Sequence, residues 1–340
     1  MSQALPSVSI IIVTWNALDL LKKYLPSVVQ NSGQAQIIIA DNHSDDESTL
    51  WVKQGFPDCT IVTHDNNYGY CGGNNRAVDA AEGDILLFLN NDVEVTENWL
   101  LPIQRSFLDE KTGAAQPKML CYKEKSSFEY AGAAGGMIDY LGFPLCRGRL
   151  FDSLESDLGQ YDEPATIFWA SGAAMAIRKK LFVDLGGFDE RFEFHMEEID
   201  LCWRLQRSGY TVKYEPESVV YHLGGGSLPT GSPRKTYYNF RNNLLMLHKN
   251  MNNSELNKII SRKSMLDRLA SFQMLLKGDF DQYNALKKAH KDAFNMIEQY
   301  DLKNESELPR PPLPELDGVL NCSVVVEYFL KRRKTFQDLC

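Results

Sequence analysis

Between Val8 and Asp92, short runs of consecutive apolar residues alternate with stretches whose apolar positions recur at helical spacing. Unbroken Val/Ile/Leu runs mark strands buried on both faces, and their alternation with helices predicts a parallel sheet with crossover helices. The pattern predicts strands over 8–13, 36–40, 61–63 and 84–89, and helices over 18–31, 48–54 and 73–81. In such sheets ligands bind beyond the carboxyl ends of the strands. The residues there are Thr14 to Asn16, Asp41 to Asp45, Asn66 to Gly69 and Asn90 to Asp92, sets rich in small, polar or acidic side chains. One such set reads as a helix cap or an Asx turn; four at one sheet edge describe a cleft.

Beyond Glu94 the pattern loosens. Glycine-rich 130–136 and 141–148 predict turns or a hairpin, 166–178 a mostly apolar strand and 192–208 a helix. The Gly/Ser/Pro run over 224–233 predicts a mobile loop beside the cleft. Helices are expected over 239–250, 255–276 and 282–300, followed by a stiff proline linker over 308–314. The apolar segment 319–330 ends in Lys331-Arg332-Arg333-Lys334. It reads as a packing helix with a solvated tip, or as a peripheral contact with an anionic membrane through 319–334. The Tyr- and Phe-bearing helices after Asn250 read as one wall of an acceptor groove or as a homodimer contact.

Composition narrows the partners. With 36 Lys+Arg against 45 Asp+Glu, the net charge of −9 predicts no nucleic-acid partner. Seven cysteines without a CxxC pair suggest neither a disulfide framework nor a zinc knuckle, which fits a reducing compartment. The N-terminal apolar run is too short for a signal core, and no stretch approaches the ~18–20 apolar residues of a membrane span. A cytoplasmic location is expected.

Three groups of residues carry chemistry. Asp92 closes a buried strand, where one carboxylate and the phosphates of a substrate are enough to hold Mg or Mn. His222, between the apolar run 219–221 and the glycine loop, reads as a metal or phosphate ligand or as a core histidine. Glu197, Glu198 and Asp200 crowd three carboxylates at a predicted helix start. The helix dipole favours acids there, while crowding raises the pKa of at least one, as a base for a sugar hydroxyl requires. Asp200 and Arg204, at i and i+4, read as an internal ion pair.

The segments 8–16 (VSIIIVTWN), 40–45 (ADNHSD), 67–75 (NYGYCGGNN) and 87–93 (LFLNNDV) continue with 171–178 (SGAAMAIR), 186–190 (GGFDE), 197–201 (EEIDL), 221–227 (YHLGGGS) and 237–242 (YYNFRN). In this order and spacing, the chain over about 7–250 resembles glycosyltransferase family 2, the inverting nucleotide-sugar transferases with the GT-A fold, and within it the rhamnosyltransferase-like branch. The resemblance implies an α/β GT-A domain over 1–250, a mixed sheet flanked by helices, with a helical C-terminal extension over 251–340. It implies a UDP- or dTDP-sugar donor, a divalent cation (Mg or Mn), and a glycan or lipid-linked saccharide acceptor in cell-surface polysaccharide synthesis at the inner face of the membrane. By the same resemblance Asp41 binds the pyrimidine edge, with Thr14, Asn16, Asn66, Asn75 and Asn91 lining the nucleoside pocket. Asn90-Asn91-Asp92 occupies the DXD position with only its last residue acidic, so the metal rests on Asp92 and His222. The base maps onto Glu198 with Glu197 beside it, the choice between them open, and diphosphate contact falls to Arg241 or to the Arg234-Lys235 end of the loop.

Three rivals are weaker. A sugar-nucleotide nucleotidyltransferase carries a glycine-rich basic loop after its first strand, where this chain has TWNALD. A NAD-dependent enzyme carries GxGxxG there. A non-catalytic sugar-nucleotide-binding or scaffold protein has no use for a base opposite a metal site.

Overall fold

The computed structural model describes residues 4–224, 231–299 and 308–339. Val8–Thr14 (β1), Gln36–Asp41 (β2), Thr60–Thr63 (β3) and Ile85–Leu89 (β4) pair in parallel in the order β3-β2-β1-β4. Leu18–Asn31 (α1), Ser48–Gly55 (α2) and Gly69–Ala77 (α3) cross between them. The register puts Thr14, Asp41 and Thr63 side by side at one edge. Alternation along the strands divides the core: Ile10, Ile12, Ile37, Ile39, Leu87 and Leu89 pack with Leu21, Leu25 and Val28 of α1, while Ile11, Ile38, Ala40, Leu86 and Phe88 face the other layer.

The second half of the sheet is mixed. Val93–Val95 (β5), Leu100–Ser106 (α4) and Thr112–Cys121 (β6) lead into a small five-stranded sheet. Gly136–Asp139 (β7), Pro144–Cys146 (β8), Arg149–Leu150 (β9) and Ser153–Leu154 (β10) form its meander. Ala165–Ile167 (β11) and Ala174–Arg178 (β12) return to the main sheet, and Lys179–Asp184 (α5) and Glu197–Arg207 (α6) precede Thr211–His222 (β13). The full order is β11-β13-β6-β12-β4-β1-β2-β3, with β5 on β13. Pro233–Asn250 (α7), Asn253–Leu276 (α8) and Phe280–Gln299 (α9) follow, and Val319–Leu320 (β14) adds to β7 in parallel.

Several expectations are corrected. The apolar stretch 166–178 is two strands, because 168–173 crosses between them: Phe168 N–H bonds Gly136 O (2.8 Å), and Ser171 N–H bonds Gln116 Oε1 (2.9 Å). The segment 319–330 is not one packing helix but strand β14 followed by a single turn over Val326–Leu330, and Leu145, Leu150, Val324 and Tyr328 share one small core. Cys322 is disulfide-bonded, while Cys59, Cys71, Cys121, Cys146 and Cys202 are free. The expected mobile loop falls largely on residues 225–230, which lie outside the described residues.

Helix α6 is fixed by the ion pair its spacing predicts, enlarged by tertiary contacts. Fully buried Asp200 accepts from Arg204 Nε (2.9 Å), Lys249 Nζ (3.1 Å) and Asn250 Nδ2 (2.8 Å), tying α6 to α7. Asp200→Ala leaves two buried cations without their shared partner, so it is expected to destabilise the protein by about 3–5 kcal/mol. Denaturant unfolding followed by circular dichroism measures this; a loss below about 1 kcal/mol contradicts it.

Candidate active site

The carboxyl ends of β1, β2 and β4 meet through side chains. Asn91 Nδ2 donates to Thr14 Oγ1 (3.4 Å), Asn42 N–H bonds Thr14 O (2.8 Å), and Ser44 N–H approaches both oxygens of buried Asp41 (3.3 Å). Asn16, in the left-handed region at φ 47°, receives Asp45 N–H on Oδ1 (2.7 Å) and donates its own N–H to Ser44 Oγ (2.9 Å). Thr14, Asn16, Asp41 and Asn91 therefore sit together. Asn66 stays exposed in the loop after β3, its Oδ1 bonded to Asn67 N–H (2.8 Å). Asn75 is engaged at both ends by the Phe188 backbone (2.8 and 2.9 Å), so that its amide braces the turn over 186–189.

The parallel register of β13 on β6 sets His222 beside Cys121, and β5 sets it beside Val93. His222 Nε2 lies 3.1 Å from Asp92 Oδ1, and Nδ1 lies 3.3 Å from Glu129 Oε1 without a well-aligned hydrogen bond. All three side chains are buried. Burial by itself lowers the His222 pKa, but the Glu129 charge and the Asp92 bond raise it to about 10. Burial likewise works against ionised Asp92, and the His222 bond more than offsets it, leaving that carboxyl below its usual range. Gly224, at φ +68°, closes the group: a Cβ there would meet Glu129 Oε1 at 2.9 Å.

These residues fit a divalent cation. Two donors of one octahedral ion at about 2.0–2.1 Å stand about 3 Å apart, the separation of His222 Nε2 and Asp92 Oδ1. Among the described residues no set of three such side chains forms a complete cage, so the remaining ligands have to come from substrate oxygens and water.

The second pole is the start of α6. Glu197 and Glu198 each keep one buried carboxylate oxygen without a partner. Burial, reinforced by the charge of its neighbour, pushes Glu197 well above the carboxylate range, and burial raises Glu198 to about 7. The helix is entered through a strained loop in which Glu193, His195 and Met196 have φ of 62°, 65° and 76°. Burial, with the nearby Lys235 charge, lowers the His195 pKa to about 4, so this imidazole is neutral.

Arg241 is engaged by backbone and carboxylate partners on the loop ahead of α6. It holds the strained loop, donating to Glu193 Oε1 (2.9 Å), Arg191 O (3.0 Å), Phe192 O (2.9 Å) and Asn242 Oδ1 (2.8 Å). Asn242 adds bonds to Phe192 O, Phe194 O and His195 O at 2.7–2.9 Å. Lys235, whose Nζ lies 4.4 Å from the Tyr130 ring centre, is the cation whose charge acts on both His195 and Glu129; burial, followed by the Arg149 charge, lowers its pKa. Asp92 and Glu129 flank His222 directly. Tyr70, whose hydroxyl bonds Gly172 O (2.6 Å), lies within reach of the charges of Glu197 and Glu198. Glu129 has no local sequence mark. It lies in the connection between β6 and β7, and only the tertiary structure brings it to His222.

A carboxyl whose folded pKa is raised binds its proton more tightly in the folded state, so stability falls as pH climbs from its unfolded value through its folded one. Glu198→Gln removes this cost. The variant is expected to exceed the parent in stability at pH 8 by on the order of 1–3 kcal/mol. The difference should fade as pH falls from about 7 to 4.5, as read by denaturant unfolding at several pH values; a pH-independent difference contradicts the raised pKa.

Comparison with known proteins follows this geometry. Residues 9–185, just over half of the chain, match the profile of Glycosyl transferase family 2. An O-antigen biosynthesis protein, RfbC of Myxococcus xanthus, is 27% identical over 239 residues, which are 68% of this chain but 18% of that protein. The chain likewise covers only 36% of a pre-mycofactocin glycosyltransferase of Mycobacterium tuberculosis, 28% identical over 53% of this chain. An N-acetylglucosaminyl-diphospho-decaprenol L-rhamnosyltransferase of the same organism is 26% identical over 65% of this chain and 76% of its own length. Among solved structures, GalNAc-T7 with UDP, GalNAc and Mn2+ superposes with a TM-score of 0.59 at 17% identity, covering 91% of this chain and 59% of that one. The Pyrobaculum calidifontis mannosyltransferase PcManGT with GDP-Man and Mn2+ gives 0.54 at 14% identity, covering 87% and 80%. Sheet order, the strand-end cleft and the family match agree: the chain belongs to glycosyltransferase family 2 and has the GT-A fold.

Proposed function

We propose that the protein moves a sugar from a UDP- or dTDP-sugar to a hydroxyl of a glycan or lipid-linked saccharide, inverting the anomeric centre, in cell-surface polysaccharide synthesis. The observation that carries this reading is the Glu197–Glu198 pair at the start of α6, with Glu198 raised to about 7, beside the separate Asp92–His222 pair at the strand ends. A base tuned near neutral pH is what proton removal from a sugar hydroxyl needs. In the reaction, Glu198 accepts the acceptor's hydroxyl proton as that oxygen bonds the anomeric carbon. The bond from that carbon to the diphosphate breaks, and its electron pair leaves with the nucleoside diphosphate.

The remaining roles belong to the same proposal. Thr14, Asn16, Asp41 and Asn91 take the nucleoside at the strand ends, and Lys235 takes the diphosphate contact in place of Arg241. Asp92 and His222 hold a Mg or Mn ion, which when bound neutralises charge on the diphosphate. Glu129 keeps the His222 ring oriented, as a carboxylate commonly does behind a metal-binding imidazole. UDP in the GalNAc-T7 structure and the diphospho-decaprenol acceptor named for the mycobacterial relative support this choice of donor and acceptor.

Calorimetry with UDP-, dTDP-, GDP- and CMP-sugars, each with and without Mn2+, tests the reading. Metal-dependent binding of a UDP- or dTDP-sugar is expected, weakened about tenfold or more by Asp92→Ala and by Glu129→Gln. Binding of none of them by folded protein points instead to a non-catalytic module. Glu198→Gln is expected to bind donor normally and to lose transfer by at least about a hundredfold; transfer at the parent rate removes Glu198 from the mechanism.

A further inference from the structure

Helix α8 is attached along one side. Leu256, Ile259, Lys263 and Asp267 are buried. Lys263 Nζ lies 3.5 Å from the Phe143 ring centre, and Asp267 bonds His290 of α9 (3.1 Å). These contacts fix which face of α8 looks outward. On that face Met265, Leu269, Phe272 and Leu276 follow one another at i, i+4, i+7 and i+11 and are 59%, 60%, 58% and 73% exposed. At helical spacing they form one stripe over three turns; exposed Phe280 beyond it stands between exposed Asp279 and Asp281 and is not part of it. Single exposed apolar residues are ordinary; a contiguous stripe marks an interaction surface.

On α8 itself the exposed charges beside the stripe have one sign. The exposed ionisable residues of α8 and its C-cap are Lys258, Arg262, Arg268 and Lys277, all basic. The two acids of the helix are turned elsewhere: Asp267 is buried, and Glu255 bonds Asn252 and the Leu313 N–H. In a chain of net charge −9, this helix presents an apolar and exclusively basic face.

We propose that the outward face of α8 docks onto an anionic lipid surface, with the apolar stripe in the boundary between headgroups and acyl chains and Arg262 and Arg268 on headgroup phosphates. A second copy of the chain suits this face poorly. A two-fold contact brings the same patch to both sides, setting basic side chains against basic ones with no exposed acid of α8 to balance them. The proposal goes beyond sugar transfer and stands apart from it, since docking needs neither donor nor metal.

The test is flotation of the intact protein with vesicles of phosphatidylglycerol and phosphatidylcholine in equal parts, and with phosphatidylcholine alone. Binding is expected to the first and to be weak on the second. Leu269→Glu with Phe272→Glu, and separately Arg262→Glu with Arg268→Glu, should each reduce binding about tenfold or more. All four side chains are exposed, so unchanged circular dichroism and nucleotide binding are expected and verify the fold. Exposed Phe329 and Leu330, beside the basic tip 331–334, provide the control, and Phe329→Ser with Leu330→Ser should bind like the parent. Three results overturn the proposal: no binding to anionic vesicles, α8 variants that bind as the parent does, or light scattering that shows a dimer split into monomers by the α8 substitutions.

Discussion

The site depends on the seating of β13. This twelve-residue strand pairs with β6 in parallel and with β5 and β11 in antiparallel fashion, so three neighbours fix its register. A one-residue slip turns every side chain of a strand to the opposite face. His222 is the last residue of β13, and it meets Asp92 from one flank and Glu129 from the other only because the strand is held in this register. The irregularity between Glu215 and Val219 is what lets so long a strand stay paired with β6 at both ends.

Opposite that strand end, the protein maintains an arrangement that is unfavourable on its own. Glu197 is buried and Glu198 half-buried, each with a buried oxygen that has no partner, and the backbone ahead of them passes through three left-handed non-glycine residues. Such conformations cost of order 1–3 kcal/mol each and persist where the surroundings over-determine them. Here the surroundings are Arg241 and Asn242 of α7, whose side chains bond the backbone from Arg191 to His195, and the Asp200–Arg204–Lys249 group, which anchors α6 and α7 together. Arg241, which resembles a substrate contact in the sequence, here braces the backbone ahead of the carboxylates.

How much was legible follows from how local each signal is. Strands β1 to β4 are short unbroken apolar runs, and the edge residues Thr14, Asp41 and Asn91 follow from where those runs stop. Strand β6 hid because its segment TGAAQPKMLC mixes glycine, proline, glutamine and a buried lysine paired with Asp157. Strand β13 shows alternation at Val212, Tyr214, Val220 and His222, a sign of its inward face, but Pro216 and Ser218 interrupt it. The start of α7 was masked by composition: Ser232 caps it and Pro233 opens it, yet both belong to a run that otherwise reads as loop.

The sequence by itself determined the parallel half of the sheet, the family, and the residue types at its strand ends, because these are set by contiguous periodicity and by motifs a few residues long. Tertiary structure decided the partners: Glu129 behind His222, Arg241 on the carbonyls of Arg191 and Phe192, and Asn75 on the Phe188 backbone. A cation's donors or a carboxylate's burial depend on contacts dozens of residues apart in the chain, and nothing in local order specifies which of several arginines reaches a ligand and which reaches a carbonyl.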